Sequence, residues 1–477
     1  MALSSAAGAS ASAPPAARTS LSTVFAFGSM GVPLAALAVV AGVYLPRYYV
    51  SLGLSFLAVA AAISLVRFID IVFDPLVSLA MDRTKTPIGR YRPWLIVGAP
   101  IVMLGTWMLT APKGVFTTHY LILWSLVLAA GSSMVLLGLA AWTAKLALSY
   151  NDRSRVYGWT TGLAVLGSVG ILLLPLFTHG QIVLGKAKSM PTIGLILIIA
   201  IPIALAICAF FTPDRIAAAA PRPKFSFADM GKAISRPAMR RIIAADLLLT
   251  LGPGTTAPLY VYFFHDAKGF SVAYVGFLLI FYIGAGLFGA PFWGRIAQRL
   301  GKHRTVQLAC VAYAICQTTL MIIPKGLFLP TAVGMFAVGF TASAFLVMIR
   351  AMVADVTDEV RLEQGQDLTS LIFSMVTTTT KIGGTITVLI VFPILAAVGY
   401  NGKEGVVNTP HAIFGLEMCY LFAPIILVWF GGAMFFGYKL DATRHAEIQA
   451  ALASHDEAAA LESMTGPTAS TEAAPAE

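Results

Sequence analysis

Long apolar runs separated by short polar loops make up most of the chain. Twelve runs approach the roughly 20 apolar residues that a helix needs to cross a bilayer. They cover residues 22–46, 52–81, 94–112, 119–150, 156–178, 191–212, 241–264, 271–297, 305–323, 327–355, 369–398 and 411–438. The longest internal polar stretch, Pro213 to Arg241 with Pro221, Pro223 and Pro237, divides six runs from six. The pattern predicts an all-α membrane protein with a disordered tail over 1–21 and a first six-helix bundle over 22–212. A linker over 213–240, a second six-helix bundle over 241–438 and a second tail over 439–477 follow. Phe225 to Ile234 in the linker predicts a short interfacial helix. From about Ala446 the chain is Ala/Glu-rich and then turns to Pro and Thr, which predicts a short helix fading into disorder. Met1 to Thr19 has neither a cationic start nor an apolar core, so the first span itself is expected to direct insertion.

Composition agrees with the pattern. Of 477 residues, 58% are hydrophobic and 11% are charged, whereas soluble domains carry about 25% charged residues. The net charge of +10 sits in loops, where it reports topology rather than nucleic-acid binding. Loops after even-numbered spans hold Arg83, Lys85, Arg90, Arg92, Arg153, Arg155, seven cations from Arg215 to Arg241, Arg295, Arg299, Lys302, Arg304 and Arg361. Loops after odd-numbered spans hold Arg47, Lys113, Lys186, Lys188, Lys268, Lys325 and Lys403. The positive-inside rule places the first set and both termini in the cytoplasm. The four cysteines, Cys208, Cys310, Cys316 and Cys419, all fall in apolar spans and read as small core residues.

Two weak repeats relate the halves. Asp82 to Arg92 after span 2 and Arg295 to Arg304 after span 8 both end in Gly, cation, ring, Arg. Lys145 followed by Asn151-Asp152 echoes Arg350 followed by Thr357-Asp358. A 6+6 chain with basic, Gly-containing loops resembles the major facilitator superfamily, which implies a substrate site between the halves near the midplane. The basic loops either set orientation alone or form a cytoplasmic gate with Asp82 tied to arginines. The gate candidates are Asp82, Arg83, Gly89, Arg90, Arg92, Arg295, Arg304, Asp355 and Asp358. Arginine suits such bidentate ties.

The charges inside the spans carry the chemistry. Arg67, Asp70 and Asp74 share one helix face at i, i+3 and i+7. Counted back from Asp82 at 1.5 Å per residue, Asp74 lies about 12 Å deep, Asp70 about 18 Å and Arg67 about 22 Å. Two carboxylates with one Arg leave a surplus negative charge, which in hydrocarbon must be met by a proton, a metal ion or another cation. Pro75 frees a backbone carbonyl near Ile71 as a further cation ligand. Lys381, after Thr377 to Thr380 and before Ile382-Gly383-Gly384, is a second deep charge able to balance those acids when no coupling ion is bound. Asp246, five residues into the predicted span 7, reads as a helix-start residue, and Glu417 has no reading.

Arg67-x-x-Asp70-x-x-x-Asp74-Pro75, with Asp82 and Gly89-Arg90-Tyr91-Arg92-Pro93-Trp94, resembles the glycoside-pentoside-hexuronide:cation symporters typified by melibiose carriers. Met352-Val353-Ala354-Asp355-Val356-Thr357-Asp358, then Ser374 and Lys381-Ile382-Gly383-Gly384, carries the same resemblance in the second half. It implies twelve helices, alternating access and a H+ or Na+ site at Asp70 and Asp74, with Lys381 between that site and the substrate. It also implies that Trp142 stacks a sugar ring and that Thr377, with Thr378 beside it, lines the pocket. The threonine run has an equal reading as helix-to-helix hydrogen bonding.

The chain departs from that family at the sugar. Where family members carry acids, it has Gly31-Val32-Pro33 and Gly138, and Leu346 stands near a family tryptophan. A galactoside is therefore disfavoured against a less polar glycoside, a lysolipid or other amphiphile, or an organic anion. Phe73 and Val135 replace neutral oxygens of the sodium carriers, which favours H+ over Na+. No nucleophile elbow, His/Cys metal cluster or P-loop is present, so the chain is not expected to be an enzyme or to need a cofactor. The expected partners are a small-molecule substrate and the lipid bilayer, without nucleic acid. A monomeric, multi-pass protein of the bacterial inner membrane is expected, with an uncoupled facilitator as the alternative.

Overall fold

The computed structural model describes residues 20–84, 86–89, 91–112, 116–146, 150–178, 182, 188–213, 231, 235–364, 369–403, 406–440, 443–452 and 454. Twelve helices among them are long and apolar enough to cross a membrane. In chain order they are α1 Leu21–Ser51, α2 Phe56–Arg83, α3 Arg92–Thr110, α4 Thr118–Leu146, α5 Tyr150–Phe177 and α6 Met190–Phe211. There follow α7 Pro237–Ala267, α8 Val272–Leu300, α9 Lys302–Ile322, α10 Phe328–Gln364, α11 Thr369–Ala397 and α12 Pro410–Ala433. No strand occurs among the described residues. The tail over 1–19 and most of the linker, with its expected helix at Phe225 to Ile234, lie outside the described residues.

The helix ends show where apolar runs misplace boundaries. The run over 52–81 begins late: Gly53 has φ of +108°, and Ser55 caps α2 by accepting from the Ala58 N–H at 3.2 Å. In the other direction, α7 starts four residues before its apolar run. Pro237 occupies the first helical turn, where its missing N–H costs nothing, so Arg240 and Arg241 are already helical. α10 continues to Gln364, nine residues past its run, as a polar extension carrying Glu359, Arg361 and Glu363.

α1–α6 pack mainly among themselves, as do α7–α12. Across the halves α2 packs on α11, α5 on α8, and α1 on α7. α1 and α7 each contain a π-helical turn near their far ends, Val40–Tyr44 and Phe263–Ala267, which marks the internal repeat more clearly than the loops do.

Glycines let helix backbones touch, as apolar packing in lipid requires. A Cβ on Gly131 would lie 2.7 Å from the Val102 nitrogen, welding α4 to α3. A Cβ on Gly167 would meet the Val32 carbonyl oxygen at 2.1 Å, and one on Gly339 the Tyr282 oxygen at 2.2 Å. These set the α5–α1 and α10–α8 crossings. Gly339→Val is expected to lower the apparent melting temperature in detergent by roughly 5 °C, the scale of an overpacked core. Gly158→Ala, with nothing within 4 Å, should stay within about 1 °C. Equal melting of the two variants would contradict this packing.

Candidate functional site

α2 and α11 run antiparallel and are tied at three levels. Ser64 Oγ donates to the Thr385 carbonyl at 3.2 Å. One turn on, Arg67 Nη1 donates to the Gly384 carbonyl, and a Cβ on Gly384 would crowd that nitrogen at 3.1 Å. Deeper still, Lys381 Nζ bridges Asp70 Oδ2 at 3.2 Å and Asp74 Oδ2. The i, i+3, i+7 residues Arg67, Asp70 and Asp74 thus meet Gly384 and Lys381 on the partner helix.

The expected Lys381 contact is present, but Arg67 does not pair with Asp70 among the described residues. Its head is taken by the α11 backbone instead. The four charges therefore balance two against two, and the surplus negative charge read from α2 alone is met by Lys381. Asp70 Oδ1 accepts from Ser133 Oγ at 2.7 Å, so α4 does supply a neutral oxygen, two residues from the Val135 position. Asp74 Oδ1 is buried with no hydrogen-bond partner among the described residues. A buried carboxylate oxygen without a donor is costly, and here it is the acceptor left open for a proton or a cation. The Lys381 side chain is 35% exposed.

Between the halves lies a cavity of about 450 Å³. Its wall is mostly apolar, with Arg67, Ser168, Thr256, Gln317, Tyr260 and Tyr420 among its polar members. Gln317 Oε1 is buried there without a donor, while Nε2 is spent on the Tyr420 carbonyl at 2.9 Å. A second cavity of about 370 Å³ in the second half contains Asp246 and Thr380 and shares Pro253, Tyr282 and Ile283 with the first.

Several predicted residues sit elsewhere. Trp142 is 1% exposed, edge-on to Phe27 at 5.6 Å, under the Arg92 guanidinium at 5.8 Å, and its Nε1 donates to the Pro213 carbonyl at 3.4 Å. The ring is buried by these contacts, so it offers no stacking surface in this conformation. Nor is the Gly138 position free, since a Cβ there would lie 2.7 Å from Leu95 Cδ1. Thr377 accepts from Arg350 Nη1 at 3.3 Å, and neither it nor Thr378 lines the two cavities. Asp246 is no helix-start residue. The early start of α7 puts it nine residues in, about 14 Å deep, 3% exposed and accepting from Thr380 Oγ1 at 2.9 Å. The miss followed directly from the misplaced helix start.

On the basic face, the side chain of Asp82 and all of Arg90 lie outside the described residues. Gly89 holds a φ of +113°, Arg83, Arg295 and Arg304 are exposed, and Arg92 donates to the Thr212 carbonyl at 2.7 Å. Asp355 pairs with Lys302 at 2.5 Å, and Asp358 with His445 at 3.0 Å, both within the second half. The expected tie of Asp82 to arginines lies outside the described residues. The inter-half seal lies on the opposite face. Phe56 of α2 packs on Phe392 at 5.0 Å, Tyr262 at 5.7 Å and Tyr400 at 6.0 Å, and Arg47 lies 5.3 Å over the Tyr262 ring. Tyr400 donates to Asp266; burial and that carboxylate raise its phenol far above the usual range, so it remains a donor.

Comparison with known proteins adds the family. A model described as MFS/sugar transport protein matches residues 25–442. The isoprimeverose transporter of Lactiplantibacillus pentosus is 23% identical over 83% of this chain and 84% of its own length. A putative glycoside/cation symporter of Escherichia coli strain K12 is 25% identical over 82% of this chain and 85% of its own. A mutant form of the nucleoside transporter NupG superposes with a TM-score of 0.68 at 13% identity, covering 87% of this chain and 100% of that one, which speaks to fold alone.

Ser133→Ala should remove a charge-assisted hydrogen bond and lower stability by about 1–2 kcal/mol. Ser132→Ala serves as the control and should be near neutral. Thermal melts of both purified variants, compared with the unmodified protein, would reject the Asp70–Ser133 bond if they coincide.

Proposed function

Since this chain belongs to the MFS/sugar transport protein family and is a membrane transporter rather than an enzyme, we propose that it couples uptake of a sugar or glycoside to a cation. The observation that carries the coupling is the unpartnered Asp74 Oδ1 beside a lysine that bridges both carboxylates. A proton on Asp74 satisfies that oxygen and weakens the hold on Lys381. The lysine belongs to the second half and the acids to the first. Loading the cation therefore loosens the joint between halves, as alternating access requires.

A proton is the favoured ion, because one open acceptor suffices for it. Na+ is the second reading, supported by the Ser133 hydroxyl beside four carboxylate oxygens. With the basic face in the cytoplasm, the aromatic seal around Phe56 closes the outside, and the conformation is inward-directed. The central cavity is the substrate chamber. Its apolar wall also admits a less polar solute, such as an amphiphile or an organic anion meeting Arg67.

Transport of radiolabelled isoprimeverose into proteoliposomes tests this reading. Asp74→Asn is expected to abolish accumulation against a gradient while leaving exchange within about threefold, since a neutral amide mimics the loaded carboxyl. Removing Na+ at a fixed pH gradient should leave accumulation unchanged. Accumulation that persists in Asp74→Asn would refute coupling at this site, and accumulation lost with Na+ would replace the proton by sodium.

A further inference from the structure

The two interior cavities meet at Tyr282. Tyr282, a partly buried residue of α8, lines both the chamber between the halves and the smaller cavity. Asp246 is the one carboxylate in either lining. Its Oδ2 takes the Thr380 hydroxyl, while Oδ1 has no protein donor among the described residues. No salt bridge reaches it among the described residues, although the Arg350 charge acts on it from nearby. Arg350, on α10, is engaged with Thr377, and Lys381, on α11, is engaged with Asp70 and Asp74.

A carboxylate held at mid-depth for a structural purpose alone would be expensive. Thr380 does not need it, because its hydroxyl also reaches the Val376 carbonyl at 3.0 Å, the usual way a helix satisfies a threonine. Thr250 and Ser343 also line the cavity, the Ser343 hydroxyl donating to the Phe340 carbonyl at 2.7 Å and so able to accept. An acceptor-only anion, neighbouring hydroxyl-bearing residues and an aromatic residue shared by the two cavities form a complementary set for a polyol ring. A carboxylate accepts two adjacent hydroxyls at once, and an aromatic ring stacks on the C–H face of a sugar.

We propose that Asp246 and Tyr282 form a sugar subsite in the second half. In it the Asp246 carboxylate accepts from a vicinal pair of hydroxyls, and the Tyr282 ring carries the apolar face of the same sugar. This deepens the sugar-transport reading above and rests on it. The subsite supplies from the second half both the acid and the platform that the first half lacks, where Trp142 is packed away and the Gly138 position is closed. It also puts the two functions on one helix. Thr380 faces the sugar carboxylate and Lys381, the next residue of α11, faces the ion carboxylates.

Equilibrium binding of radiolabelled isoprimeverose to purified protein tests the subsite, with thermal melts confirming that each variant is folded. Asp246→Asn should weaken binding by about tenfold or more, because an amide cannot accept two hydroxyls at both atoms. Tyr282→Ala should weaken it similarly, whereas Tyr282→Phe, which keeps the ring, should stay within about threefold. Gly158→Ala, at a position that lines neither cavity, should stay within about threefold. Wild-type protein that binds, with Asp246→Asn binding equally, overturns the subsite and leaves the transporter reading standing. Wild-type protein that does not bind the sugar overturns both. Should Asp246→Asn fail to fold, equal binding by Tyr282→Ala and Tyr282→Phe overturns the proposal by itself.

Discussion

Two carboxylates and two cations share the α2–α11 interface, and the arrangement of both halves depends on their balance. In a low-dielectric interior a single unpaired charge costs several kcal/mol. Asp70, Asp74, Arg67 and Lys381 are tolerable only together. The lysine comes from one half and the acids from the other, so charge neutrality is also a mechanical joint. The backbone tie of Arg67 to Gly384 and the Ser64 bond to Thr385 hold the register in which the joint forms. Glycine-mediated crossings within each half give the joint rigid bodies to work on.

That division explains which contacts are made elsewhere. The aromatic seal around Phe56 closes one face with rings, whose contacts part without stranding a charge. On the basic face, Asp355 and Asp358 are instead satisfied inside their own half by Lys302 and His445. These local partners leave neither carboxylate bare in this conformation.

The twelve spans were legible because lipid demands continuous apolar helices, and the Asp70–Asp74–Lys381 cluster because ionisable residues at depth stand out against that background. What periodicity cannot show is the partner. Arg67 lies on the same helix face as Asp70, three residues away, yet its guanidinium donates to the Gly384 carbonyl across the interface. Trp142 matched a family position but lies among Phe27, Arg92 and Pro213, a packing decided by three separate segments. Asp246 was hidden by a boundary error, since Pro237 reads as linker although proline is at home in a first helical turn. Ser133 supplies the neutral oxygen that Val135 cannot, because a two-residue offset on α4 is small in space.

The consequence reaches back to the chamber. Arg67 lines it while the acids that balance Arg67 lie one and two turns further along α2, outside its wall. In the unloaded state the chamber therefore feels a neutral cluster. Adding a proton or Na+ to the acids leaves the cluster with one net positive charge, part of it on a guanidinium already facing the substrate. The same event frees Lys381, beside Thr380 and the Asp246 cavity. Ion binding under the proposed coupling thus changes the potential at the central cavity and beside the Asp246 cavity. Under the proposed coupling, the substrate affinity of the loaded state follows from this redistribution as much as from shape.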